Sequence, residues 1–239
     1  MLETVTRKLP ASEAIDAWKD AVNSGYDALA EKAGAETAAL IHIDQLLFFQ
    51  QLDAYQSMLT EVFGEEKAVE IILQHLRERT NDLCYALHHA PAERPDSVLR
   101  TGIPVLSAKG ERAQACGRTI EPISGGYHVT QTVCRTHDFI TSRLDLRLRD
   151  ASVEEKTAAF EDAGKLWMSL LMKESNTLYA GLTDEGKSAM SASLSLFQSW
   201  LTARRNVLLA VYPGNASIAA ELISNTVRMY VLDLEVLTK

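Results

Sequence analysis

Proline interrupts helices, because it has no amide N–H and its ring collides with the preceding turn. The chain's six prolines are Pro10, Pro91, Pro95, Pro104, Pro122 and Pro213, and four of them fall between residues 90 and 126. Long stretches on either side are free of breakers. In them apolar residues return at helical spacing, as in Leu40, Ile43, Leu47, Gln50, Ala54 and Met58, and again in Ile71, Leu73, Leu76, Leu83 and Leu87. The pattern predicts an all-α protein of antiparallel helical bundles.

Helices are expected over residues 11–33, 36–63, 65–89, 127–149, 152–182, 184–211 and 216–238. Gly34, Gly64, the Gly125-Gly126 pair and Pro213-Gly214 punctuate them, and Ser152 with Glu155 has the spacing of a capping box. The proline-rich segment is long for a structureless connection and is read as one functional or mobile loop, with room for a short hairpin around IPVL and RTIEPI. The expected domains are an N-terminal helix (1–34), a first helical unit with the long loop (35–150, loop 90–126) and a second helical unit (151–239).

With 239 residues, 46% of them hydrophobic, the chain can bury a substantial core. Its 24 basic and 32 acidic residues leave a net charge of −8, which disfavours nucleic acid and anionic membranes and favours a basic partner. No apolar run reaches signal-peptide or membrane-spanning length, so a soluble protein is expected. Three cysteines, Cys84, Cys116 and Cys134, allow one disulfide and a spare thiol.

The chain is similar to itself. HLRERTNDLCYA from His75 aligns with WLTARRNVLLAV from Trp200, matching Leu76 to Leu201, Arg79 to Arg204, Asn81 to Asn206 and Leu83 to Leu208. Tyr55 with Leu59 precedes the first copy as Tyr179 with Leu182 precedes the second, and TSRLDL from Thr141 answers TVRMYVLDL from Thr226. Two related helical units are the expectation.

The second half also resembles the LprI-type lysozyme-inhibitor family of small helical envelope proteins. That family runs LNxxYxxL, QxxWxxYR, a cysteine, a glycine-serine turn and a closing Cys…T-x-R…EL segment. The matching stretches are NTLYAGL (176–182), QSWLTAR (198–204), PGNAS (213–217) and NTVRMYVLDLEVL (225–237), with a fainter echo over 45–148. Ala203 stands where the family has tyrosine, Arg205 where it has an acid, and Leu208 and about Glu221 where it has cysteines. In the first half Cys84 and Cys134 fall near the two cysteine positions, so the resemblance implies a Cys84–Cys134 disulfide in an oxidising compartment, with Cys116 spare. It also implies a periplasmic or secreted protein whose leader has been removed; otherwise a cytoplasmic one is expected.

Trp200 and Arg204 are four apart and share a helix face, where the indole can pack inward and the guanidinium can lie along it or pair with an acid. Glu174 and Asp233 are the candidate acids, and Asn176 and Tyr179 are expected to meet the same level. These four residues, Asn176, Tyr179, Trp200 and Arg204, are read as a structural signature rather than a ligand site. The run Leu46, Leu47, Phe48, Phe49 is more apolar than one helix face requires, so it is either central to the bundle or partly open to a partner, with burial favoured.

Chemistry is thinly represented. His128, Cys134 and His137 are expected on one helix, and a metal set would need His88 or His89 and Cys84 from another helix to converge on them; Cys134 with His137 could form a thiol-imidazole pair, although i,i+3 geometry points both outward. No phosphate loop, HExxH or GxSxG occurs, and the pairs Glu65-Glu66 and Glu154-Glu155 suit helix starts. No catalytic residue, metal or cofactor is assigned.

The favoured reading is a non-catalytic protein-binding bundle that, by its resemblance, blocks a basic cell-wall hydrolase. Its contact loop would use Arg94, Asp96, Arg100, Lys109, Glu111 and Arg112. A cytosolic scaffold is the second reading, and a metalloprotein using His88, His89, Cys134 and His137 the third.

Overall fold

In the computed structural model, residues 9–89, 113–115, 118–123, 126–131, 135–148 and 150–237 are described. Seven helices occur among them: α1 (Ala11–Lys32), α2 (Ala35–Phe63), α3 (Glu65–His89), α4 (Arg135–Leu148), α5 (Val153–Tyr179), α6 (Asp184–Val211) and α7 (Ala216–Leu237). Between α3 and α4 lies a small antiparallel sheet of β1 (Ala113–Ala115), β2 (Arg118–Ile123) and β3 (Gly126–Gln131). The fold is an all-α helical bundle with that one short sheet.

Helix ends follow their residues. Gly64 closes α2 in the left-handed region (φ 89°), its N–H reaching Thr60 O, and Gly214 has the same sign of φ in the PGN turn. Thr183 caps α6 by accepting from Gly186 N, and Ser152 with Glu155 forms a reciprocal capping box, 2.8 and 3.2 Å. One expected helix is too long: residues 126–131 pair with β2 in register from Arg118↔Gln131 to Ile123↔Gly126, so α4 starts at Arg135 and not at residue 127. YHVT is rich in the aromatic and β-branched residues that suit a pleated surface, and Gly126 opens the strand. The RTIEPI half of the expected hairpin is β2; IPVL lies outside the described residues.

The chain divides into two packed units. One holds α1, α2, α3 and α6, within Met1–Glu93 and Tyr179–Gly214. The other holds the sheet, α4, α5 and α7, within Arg94–Leu178 and Asn215–Lys239. These units are interleaved in sequence and so differ from the expected 1–34, 35–150 and 151–239. The N-terminal helix is not an appendage, since Trp18, Val22 and Tyr26 of α1 are core residues. The stretches at His75 and Trp200, expected to be matching parts of two related units, both fall in the four-helix unit.

In the four-helix unit α2 packs most extensively on α6, and α1 on α3, with α2 also against α1 and α3. Gly25 makes the α1–α3 approach: a Cβ there would come 3.1 Å from Leu83 Cβ. The buried side of α2 is Ile41, Asp44, Phe48, Gln51, Leu52, Tyr55, Met58 and Leu59. Of the stripe expected from the sequence only Met58 belongs to it; Ile43 and Gln50 are exposed, and Leu40, Leu47 and Ala54 are half-buried. In the other unit Trp167, Leu170 and Leu171 of α5 and Val227, Tyr230, Val231 and Leu234 of α7 are buried, Gly164 lies close against Ser224, and Arg147 of α4 pairs with Asp162 of α5 at 2.7 Å.

Candidate functional site

The most unusual chemistry lies inside the four-helix unit, where Tyr26, Asp44, Arg79 and Arg204 are all buried. Each is placed by a different helix: α1 supplies the phenol, α2 the carboxylate, α3 one guanidinium and α6 the other. The Tyr26 hydroxyl donates to Asp44 Oδ2 at 2.9 Å and accepts from Arg79 Nε at 2.8 Å, and Arg79 Nη2 contacts both the hydroxyl and Asp44 Oδ2. The Arg79 guanidinium also sits 4.7 Å from the Tyr26 ring centroid and 5.6 Å from that of Phe48.

Phe48 links this triad to α6 through Trp200, ring centroids 5.3 Å apart. One turn on, Arg204 lies over the Trp200 ring at 5.4 Å and its Nη2 pairs with Asp82 of α3. Asp82 also acts on Arg79, so Asp44, Arg79, Asp82 and Arg204 alternate in sign and cancel. Asp44 Oδ1 and Trp200 Nε1 make no regular hydrogen bond, yet the indole N–H is near enough to favour the Asp44 carboxylate. Arg204 Nε and Nη1 are buried without a hydrogen-bond partner, so its network is less complete than that of Arg79.

Burial sets the ionisation behaviour. It pushes the Tyr26 phenol well above its ordinary value, more than Arg79 pulls it down. It also raises the Asp44 carboxyl, opposed by Arg79, Tyr26 and Trp200. Burial acts to lower the Arg79 guanidinium, but Asp44, Tyr26 and Asp82 outweigh it and hold the group above its ordinary value. At neutral pH the phenol is protonated and the guanidinium charged, and both are sealed from solvent. Such a cluster fixes which helix faces which; it offers nothing for a substrate to reach.

The expected signature is only partly brought together. Trp200 and Arg204 share a buried face, and the acid paired with Arg204 is Asp82 of α3, where the sequence offers Glu174 and Asp233. Tyr179 is 40% exposed with Lys187 5.9 Å from its ring, and Asn176 is exposed, so neither has buried polar atoms that demand a partner there. Cys84 is a free, exposed thiol, whereas the resemblance implies a bridge to Cys134, which lies outside the described residues, as does Cys116. The loop positions Arg94, Asp96, Arg100, Lys109, Glu111 and Arg112 also lie outside them, as do the side chains of His88, His89 and His137. Among the described residues no group of three His, Cys, Asp or Glu could hold a metal ion, and no helix is long and apolar enough to cross a membrane.

Asp44 and Tyr26 are absent from the sequence-based signature. The available cue is Asp44 itself, a lone acid in the apolar run LIHIDQLLFF, since burying a carboxylate is costly unless a cation meets it.

The unit's exterior contrasts with its neutral interior. Its four helices carry 16 of the chain's 32 acidic residues and eight of its 24 basic ones, the whole of the net −8, leaving the rest of the chain balanced. Helix α2 contains no lysine or arginine in 29 residues. Because the buried pairs cancel, the excess acid faces outward.

No family model and no curated protein matches the chain. Among solved structures, the crystal structure of an uncharacterized protein from Burkholderia thailandensis is similar over 96% of each chain, at 11% sequence identity and a TM-score of 0.44.

Proposed function

We propose that the chain is a non-catalytic binding protein whose acidic four-helix unit receives a basic protein partner. The partner class is the one implied by the resemblance to LprI-type inhibitors, a basic cell-wall hydrolase. The observation that supports this reading is the concentration of the entire net charge on one unit whose interior charges are already paired with one another. A one-sided field of this kind speeds encounter with a cation-rich surface and weakens as salt screens it.

The test is titration of a lysozyme with the intact protein, followed by calorimetry and by the rate of peptidoglycan hydrolysis. Binding that weakens between low and physiological salt, together with slowed hydrolysis, is the expected result. No heat of binding and unchanged hydrolysis at large protein excess would end the reading.

The free Cys84 thiol supports a second reading, a scaffold in a reducing compartment. Thiol counting under denaturing, non-reducing conditions separates the two: three reactive thiols in protein from its native compartment favour the scaffold, one favours the envelope protein.

A further inference from the structure

We infer that the outer ridge of α2, centred on Ile43 and Leu46, is the docking surface for a basic amphipathic helix of the partner. The inference deepens the basic-partner reading and rests on it. Ile43 and Leu46 are 50% and 59% exposed, in a helix whose opposite side already meets α1, α3 and α6. Together with exposed Ala39 and Gln50 they recur at intervals of four and three residues and form one stripe, bordered by half-buried Leu40 and Leu47.

From Thr37 to Leu52 the only formal charge on α2 is Asp44, which is buried, so the ridge itself is uncharged. Depletion of charge around exposed apolar residues is the composition of an interface core and not of a solvated surface. The charges of α2 that frame the ridge are all acidic: Glu36 before it, Asp53 and Glu61 after it, all exposed. Asp53 is bound at 2.9 Å by Lys19 of α1, which leaves the flanks still net negative.

This frame selects the occupant. A helix that sets apolar anchors on Ile43 and Leu46 brings its flanking positions toward Glu36 and Asp53, which lie about 26 Å apart along α2. Lysine and arginine satisfy those positions, whereas glutamate and aspartate are repelled. A second copy is a poor occupant, because pairing two units that each carry the chain's full −8 sets like charge against like.

The probes are two synthetic helical peptides of about 18 residues with the same leucine stripe, one flanked by lysine and arginine and one by glutamate. Each is titrated by fluorescence anisotropy against the full chain, its Ile43→Ser/Leu46→Ser variant, and a Leu209→Ser variant altered at an exposed apolar residue of α6. The expected result is binding of the basic peptide, at least tenfold weaker binding of the acidic one, and at least tenfold loss in the double variant with no loss in Leu209→Ser. Circular dichroism and urea midpoints of all three proteins should coincide, since every altered side chain is on the surface.

Equal binding of the basic peptide to wild type and double variant would overturn the ridge while leaving the basic-partner reading intact. Equal binding of both peptides, or of neither, would overturn the assigned occupant, and the lysozyme titration then judges the broader reading by itself. A dimer in sedimentation that dissociates in the double variant would show the ridge to be a self-association surface, which also overturns the proposal.

Discussion

The inside and the outside of the four-helix unit use charge in opposite ways. Inside, Asp44 and Asp82 meet Arg79 and Arg204, and the four charges cancel. Outside, acidic residues outnumber basic ones and nothing on α2 offsets them. Buried charge here ties helices to one another, since Asp44 and Arg79 with Tyr26 join α1, α2 and α3 and Asp82 with Arg204 joins α3 to α6, while surface charge is free to address another molecule. Interior substitutions should therefore change stability and spare binding by folded molecules, and exterior ones should do the reverse.

The largest effect belongs to Arg79. Arg79→Met leaves Asp44 buried and uncompensated and should cost ~3–5 kcal/mol in urea unfolding, whereas Arg79→Met with Asp44→Leu should recover most of that loss. If the double variant is no better than the single, the pair is doing more than cancelling itself. Arg204→Met should cost less, about 2 kcal/mol, because Asp82 is 20% exposed and water can take over part of its solvation. Tyr26→Phe removes a hydroxyl that both donates to Asp44 and accepts from Arg79, yet leaves the ion pair; a loss of about 1–2 kcal/mol is expected.

The smallest effect is at an exposed charge. The Ser152 backbone and side chain hold the Glu155 carboxyl below its ordinary range. A depressed carboxyl stabilises the fold above its unfolded pKa, and that contribution disappears as pH falls through the folded value. Ser152→Ala removes the hydroxyl that accepts from Glu155 N and keeps the Ser152 N–H, so the urea midpoint should fall slightly while the Glu155 carbon resonance moves only a little to higher pH; an unchanged midpoint would deny the capping role.

Much of the architecture is legible in the residues, and the gaps have physical causes. Breaker placement and capping signals locate six of the seven helices to within a few residues, because those signals are local. The sheet is misread where GYHVTQ could follow either period and pairing with RTIEPI decides. In α2 the apolar residues run almost around the helix, so two stripes fit the spacing: Leu40, Ile43 and Leu47, or Ile41, Asp44, Phe48 and Leu52. The second is buried, with Asp44 meeting Arg79 and Tyr26 there; of the first only Ile43 is exposed and joins Leu46 on the outer ridge, while Leu40 and Leu47 border it half-buried. Partner choice in ion pairs is harder still: Arg204 and Asp82 are 122 positions apart, and no spacing rule connects them.

The division of labour can be read from one set of samples, by measuring both the urea midpoint and the lysozyme affinity of wild type, Tyr26→Phe and Glu36→Gln/Glu61→Gln. Tyr26→Phe should lower the midpoint and leave the affinity unchanged, while the surface pair should weaken affinity severalfold and leave the midpoint in place. A Tyr26→Phe protein that is fully folded yet binds poorly, or a surface variant that binds as wild type does, would contradict that division.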